Sequence, residues 1–266
     1  MNNTVRKSGM LRWGILGLIA FSTGGYAAVQ STTLSYQDGE TELTGHLYWD
    51  DSVTGKRPGV LVVHEWWGLN DYARERASKL AEMGYVAFAL DMYGGDKVTR
   101  HPAQAQEWMQ ATTANTEAWR TRALKGLEQL RANELTDTDR IAAIGYCFGG
   151  ATVMQMAYAG ADLKGVVSFH GSLPLPGPNE AEKIKGKVLI EHGYSDAFIP
   201  LERVEAFEAA LSNAGVMYTF NGHVGARHAF TNPEADSFGI ENLKYDPAAD
   251  KASWNSMQAL FREIFH

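Results

Sequence analysis

From Gly59 onward the chain alternates short, nearly continuous apolar runs with longer stretches in which apolar residues recur every three or four positions. GVLVVHE, YVAFALD, RIAAIGY, GVVSFHG, KVLIEHG and VMYTFNG lack a polar face, as strands of a parallel sheet covered on both sides require. Segments of helical period separate them and predict helices over 71–83, 103–131, 149–159, 201–214 and 247–265. Earlier, TTLSYQDGETELTGHLYW alternates with period two and predicts a hairpin turning at Asp38-Gly39. This rhythm implies a doubly wound α/β sheet, which binds ligands at the carboxyl ends of its strands. No repeat, low-complexity tract or linker divides residues 28–266, so a single domain is expected there, with GSLPLPGPNEAEKIKG as an exposed loop.

The first 27 residues break the pattern. Arg6, Lys7 and Arg12 precede an apolar run at 13–21 and a small-residue stretch ending at Ala27. That reads as a secretory signal peptide cleaved after about Ala27, because the run is shorter than the ~20 apolar residues a bilayer span needs. An uncleaved anchor is the alternative. Cleavage predicts a periplasmic or secreted protein with no stable membrane insertion. At 45% hydrophobic residues the chain can bury one large core, and a monomer is expected. Its formal charge of −7, with scattered Lys and Arg, offers no footprint for nucleic acid or anionic lipid. A small uncharged or cationic partner suits it better.

Cys147 is the only cysteine, so an intramolecular disulfide is excluded. It sits in Gly145-Tyr146-Cys147-Phe148-Gly149, between a predicted strand and a predicted helix. This matches the nucleophile elbow GxSxG with Cys in place of Ser, whose glycines relieve collisions around a strained turn. The helix N-terminus favours a negative sulfur. A core cysteine beside packing glycines is the alternative. Hydrolase order then asks for an acid after a later strand and a His after the last one. Asp196 and His228 stand in that order, with His223 as the rival base. Asp91 precedes the elbow and reads as a loop-positioning residue. His170 and His192 read as structural or pocket-lining, and His46, His101 and His266 carry no motif.

HEWWGLN, at 64–70, follows the first long apolar strand. Gly68 occupies the second-His position of HExxH and no helix is expected, so zinc is not. In a hydrolase this loop donates an N–H to the oxyanion hole, with a second from the residue after the nucleophile: here Trp66 and Phe148. Glu65 would then point toward the sulfur as a proton acceptor. A buried carboxylate paired with a distant arginine is the alternative.

With these residues in view, the chain from about residue 61 to its C-terminus resembles the dienelactone hydrolase family. The likeness lies in HEWWGLNDYARERASKLAEMGYVAFALDMYGG, IGYCFGG, VVSFHGSL, HGYSDAFIP, RHAFTNP and YDPAADKASW. The resemblance implies an α/β-hydrolase fold and hydrolysis of a small ester or lactone through a Cys147 thioester. It makes His228 the base and acid, Asp196 its orienting carboxylate, Glu65 the partner of the resting thiol, and Trp66 and Phe148 the oxyanion donors. It implies no metal and no organic cofactor. Trp66, Trp67, Tyr93 and Phe198 are expected to line the pocket. Asn232 is expected to face the substrate as well, since it stands in the region where the enzyme that names the family has an arginine gripping a substrate carboxylate, and Arg100 and Arg227 are the nearest basic candidates. Two other classes compete, a non-catalytic binding module and a redox-responsive thiol protein. The first would be expected to lose one of Glu65, Cys147, Asp196 and His228, and the second to have a resolving cysteine.

Overall fold

The structure is a computed structural model that describes residues 29–266; the expected signal peptide lies outside the described residues. Among the described residues there are eight strands: β1 (Val29–Asp38), β2 (Thr41–Asp50), β3 (Arg57–Val63), β4 (Val86–Leu90), β5 (Thr136–Tyr146), β6 (Gly165–Phe169), β7 (Lys187–Gly193) and β8 (Tyr218–His223). The helices are α1 (Asp71–Glu82), α2 (Pro102–Thr113), α3 (Thr116–Ala132), α4 (Phe148–Tyr158), α5 (Leu201–Asn213) and α6 (Pro247–Ile264). One sheet contains all eight strands in the order β1-β2-β4-β3-β5-β6-β7-β8. From β4 to β8 the pairings are parallel; β1 and β2 join antiparallel at one edge.

The doubly covered strands follow from their apolar runs. Leu61 and Val63 face a core with Phe88, Leu127, Met154 and Phe207, while Val60 and Val62 face one with Ala77, Leu80, Met257 and Phe261. The hairpin turns at Gly39-Glu40, one residue later than the sequence suggests, since Asp38 pairs with Thr41 and Gly39 takes φ 60°. The expected helix at 103–131 is two. Asn115 caps the second by accepting the Ala118 N–H at 3.0 Å, and the chain bends ahead of it.

Strand order positions the site. The chain leaves β3 for β4 on one side and returns to β5 on the other, so β3 and β5 flank a topological switch point. Val63 pairs with Gly145, which brings HEWW alongside the elbow.

Candidate active site

Cys147 alone links β5 to α4, at φ 54° and ψ −114°. A residue with a Cβ holds such a backbone only where its surroundings fix it, at a cost of about 1–3 kcal/mol. The glycines make room. A Cβ on Gly145 would lie 2.0 Å from the Gly149 carbonyl oxygen, and one on Gly149 would lie 2.2 Å from that of Val63. The half-buried thiol is thereby held at the positive end of α4.

His228, in the loop after β8, places Nδ1 2.7 Å from Asp196 Oδ2, just beyond β7. Asp196 Oδ1 accepts from the Asn242 side chain and the Phe198 N–H, each at 2.9 Å. Burial pushes the Asp196 carboxyl up, but His228 and these donors outweigh it and hold it at about 2. Burial would likewise lower His228; the charge of the facing Cys147 sulfur and the bond to Asp196 raise it well above the imidazole range instead. With Nδ1 on Asp196, Nε2 is left for the sulfur. The rival His223 is committed elsewhere. Its Nε2 lies 2.6 Å from buried Glu191, whose other oxygen accepts from Asn221 at 2.8 Å.

On the β3 side both His64 nitrogens serve the backbone: Nε2 accepts the Met92 N–H at 3.2 Å, so Nδ1 donates to the Glu65 carbonyl. Asp91 accepts from the Tyr93 and Gly94 N–H groups and fixes its loop, as its position suggests. Glu65 departs from expectation. Its Oε2 accepts from the Asn232 side chain at 2.7 Å, and among the described residues it makes no hydrogen bond to Cys147. Burial pushes its carboxyl up to about 7, with the Asn232 bond pulling the other way. Among the described residues no arginine hydrogen-bonds Glu65: Arg76 is bonded to Asp250 at 2.7 Å and to the Thr231 carbonyl, and only its charge, acting at a distance, favours the Glu65 carboxylate.

Two expected pocket residues are therefore corrected. Asn232 is 1% exposed, with one end of its amide on Glu65 and the other accepting the Glu234 N–H at 2.9 Å, so both ends are taken by protein groups. Trp67 is buried, stacked on Phe238 at 4.1 Å in a satellite core with Ala229 and Leu243 that shelters its large apolar ring. Tyr93 stacks on Phe148 at 5.6 Å and donates to the Trp66 carbonyl at 3.1 Å, bracing both expected oxyanion residues. The Trp66 and Phe148 N–H groups have no acceptor among the described residues. Phe198, 52% exposed, sets its ring against His228 at 5.2 Å. Arg100 turns to Glu234 and Ser237, and Arg227 to the Glu241 carbonyl.

His170 does more than line the site. Its Nδ1 accepts the Cys147 N–H at 3.1 Å, and its Nε2 lies 2.7 Å from Thr231 Oγ1. The signal available in the sequence is its place, just after the strand next to the elbow strand. Asn242 and Thr231 carry no comparable signal.

The profile of the dienelactone hydrolase family matches residues 43–265. The chain belongs to the dienelactone hydrolase family. It is similar to protein usf of Aquifex pyrophilus, at 30% identity over 211 residues covering 77% of this chain and 88% of the relative. The solved structure titled m3DLH is 39% identical with a TM-score of 0.87, covering 89% of this chain and 99% of its own. A dienelactone hydrolase-like promiscuous phosphotriesterase from metagenomic libraries is 38% identical, with the same TM-score and coverage. As a dienelactone hydrolase family member the protein is a hydrolase, and its eight-stranded, mostly parallel sheet is the α/β-hydrolase fold its motifs imply.

Proposed function

We propose that this protein cleaves neutral esters or lactones through a thioester at Cys147, with His228 and Asp196 completing a triad. The observation that carries the reading is the sulfur on a strained elbow, facing an imidazole whose far nitrogen is held by a carboxylate. His228 Nε2 takes the thiol proton as sulfur attacks the carbonyl carbon, and the carbonyl electron pair moves onto oxygen. The unpaired N–H groups of Trp66 and Phe148 are available to hold that oxyanion. Collapse breaks the bond to the alkoxide, which takes the proton from the imidazolium. A water then gives His228 a proton and attacks the thioester; the acid leaves and the thiol is restored. Export rests on the Arg6, Lys7 and Arg12 cluster ahead of the apolar run, and supports a periplasmic or secreted setting.

The substrate class follows from charge. Arg100 and Arg227 are committed elsewhere, and the group that becomes charged beside the site above about pH 7 is the Glu65 carboxylate. A neutral lactone should therefore show higher kcat/KM than its carboxylated analogue, by about tenfold, the factor that 1.4 kcal/mol supplies. A neutral phosphotriester belongs in the same assay panel, given the related phosphotriesterase. Preference for the carboxylated lactone would overturn the substrate assignment.

Glu65 supplies a pH prediction. It takes no proton in the steps above, but the charge it gains near pH 7 lies close enough to His228 to favour the imidazolium that forms on attack, and so sets an acid limb in kcat/KM. The Asn232 hydrogen bond favours the ionised form, and Asn232→Ala removes it. The limb should then move to higher pH, and a limb that stays in place means Glu65 does not govern it.

A further inference from the structure

His170 directly follows β6 and takes no part in the proton transfers above. Its backbone is nevertheless left-handed, at φ 42°, as are Cys147 at 54° and Ala229 at 57°. Three such non-glycine residues around one hydrogen-bonded cluster must be held by what they touch. The Cys147 N–H is shared between the Phe169 carbonyl at 3.0 Å and His170 Nδ1 at 3.1 Å. An acceptor at Nδ1 puts the ring proton on Nε2, which donates to Thr231 Oγ1 at 2.7 Å. That hydroxyl also meets the Tyr72 hydroxyl at 2.6 Å, while Arg76 holds the Thr231 carbonyl. Thr231 lies three residues beyond His228 in the same loop. One imidazole thus touches the backbone of the nucleophile on one edge and the loop of its base on the other.

We propose that His170 is a positioning residue, a neutral imidazole that ties the Cys147 backbone to the His228 loop through Thr231 and so sets the geometry between sulfur and base. This rests on the acyl-transfer reading above. The side-chain chemistry is specific. An asparagine accepts the Cys147 N–H but does not span to Thr231, and a phenylalanine spans without bonding. The groups facing the ring also favour its neutral form: it is buried, and the raised His228 meets it edge-on at 5.3 Å, against the weaker opposing pull of Asp196. A protonated His170 would lose the lone pair that takes the Cys147 N–H and would set a second cation beside the imidazolium that His228 becomes when it takes the thiol proton.

The test uses the full chain. His170→Asn keeps an acceptor near Cys147 but loses Thr231, and Thr231→Val removes the hydroxyl while keeping its shape. Each should lower kcat about 10- to 100-fold with KM within about threefold, the range that ångström-scale misplacement of reacting groups produces. Alkylation of Cys147 by iodoacetamide at pH 7 should slow in parallel, because it reads the nucleophile without a substrate. Both changes cut one link, so the double variant should be no worse than the poorer single variant, and Thr231→Ser should stay close to wild type. Nitrogen NMR of the wild-type histidine rings adds a readout that needs no variant to fold: His170 should be the neutral Nε2–H tautomer at pH 7. The proposal is overturned by folded single variants within about twofold of wild-type kcat. Effects that multiply in the double variant, or a cationic or Nδ1–H His170, overturn it equally. Cys147→Ala run alongside separates the two readings. Full activity there removes the acyl-transfer reading, whereas its inactivity beside unchanged His170 and Thr231 variants removes only the role of His170.

Discussion

Cys147→Ala should lower kcat on any accepted ester or lactone by at least about ten-thousand-fold, the scale on which losing a triad nucleophile is felt. The fold should survive. The substitution removes one half-buried sulfur and leaves a Cβ at the same φ, and the hydrogen bonds from residue 147 to Phe169 and His170 use its backbone N–H. The thermal midpoint should move by no more than about 4 °C, as expected when about 1 kcal/mol is at stake in a chain of this size. Cys147→Ser should recover little, because a hydroxyl gives up its proton far less readily than a thiol to the same imidazole. The paired measurement is kcat and a melting curve on each variant. An alanine variant within tenfold of wild type would mean that some other group attacks the carbonyl.

Much of the fold is legible in the sequence because burial on both faces of a sheet leaves no polar positions, and such runs mark β3 to β7 with little ambiguity; β8, at the sheet edge, has no buried residue although VMYTFNG reads like the covered strands. Periodicity reads less well at Asn115. Apolar spacing continues across α2 and α3, so a cap that is locally decisive hides inside what reads as one long helix. At the site, Cys147, Asp196 and His228 are legible because they follow from backbone constraints, a glycine-flanked turn and an order of loops at strand ends. The partners of these residues are not. Asn232 reaches Glu65, Asn242 reaches Asp196 and Thr231 reaches His170 only through the folded loops, and no local pattern encodes such contacts. Adjacent identical residues mislead for the same reason. Trp66 and Trp67 look interchangeable in HEWW, yet the second finds Phe238 and is lost to the core.

Asp196→Asn should lower kcat by about a thousand- to ten-thousand-fold, the magnitude expected when a triad histidine is forced into the wrong tautomer. The hydrogen bonds dictate the direction. Asp196 Oδ1 accepts from the Phe198 N–H and the Asn242 amide, each at 2.9 Å, so an asparagine must keep its carbonyl oxygen on that side. Its NH₂ then faces His228 Nδ1, where the carboxylate now sits at 2.7 Å. Nδ1 must accept that donor, which moves the ring proton to Nε2, on the side of the sulfur, and leaves no lone pair to take the thiol proton. The loop itself should hold, because the two donors to Oδ1 are still satisfied and the new pair replaces the old one. The pH dependence supplies the signature. In wild type the rate should level off once His228 can act as base, whereas in the variant it should keep rising with pH as hydroxide removes the thiol proton that His228 no longer accepts. A variant within tenfold of wild-type kcat, with the wild-type plateau intact, would show that His228 does not depend on Asp196 for its tautomer.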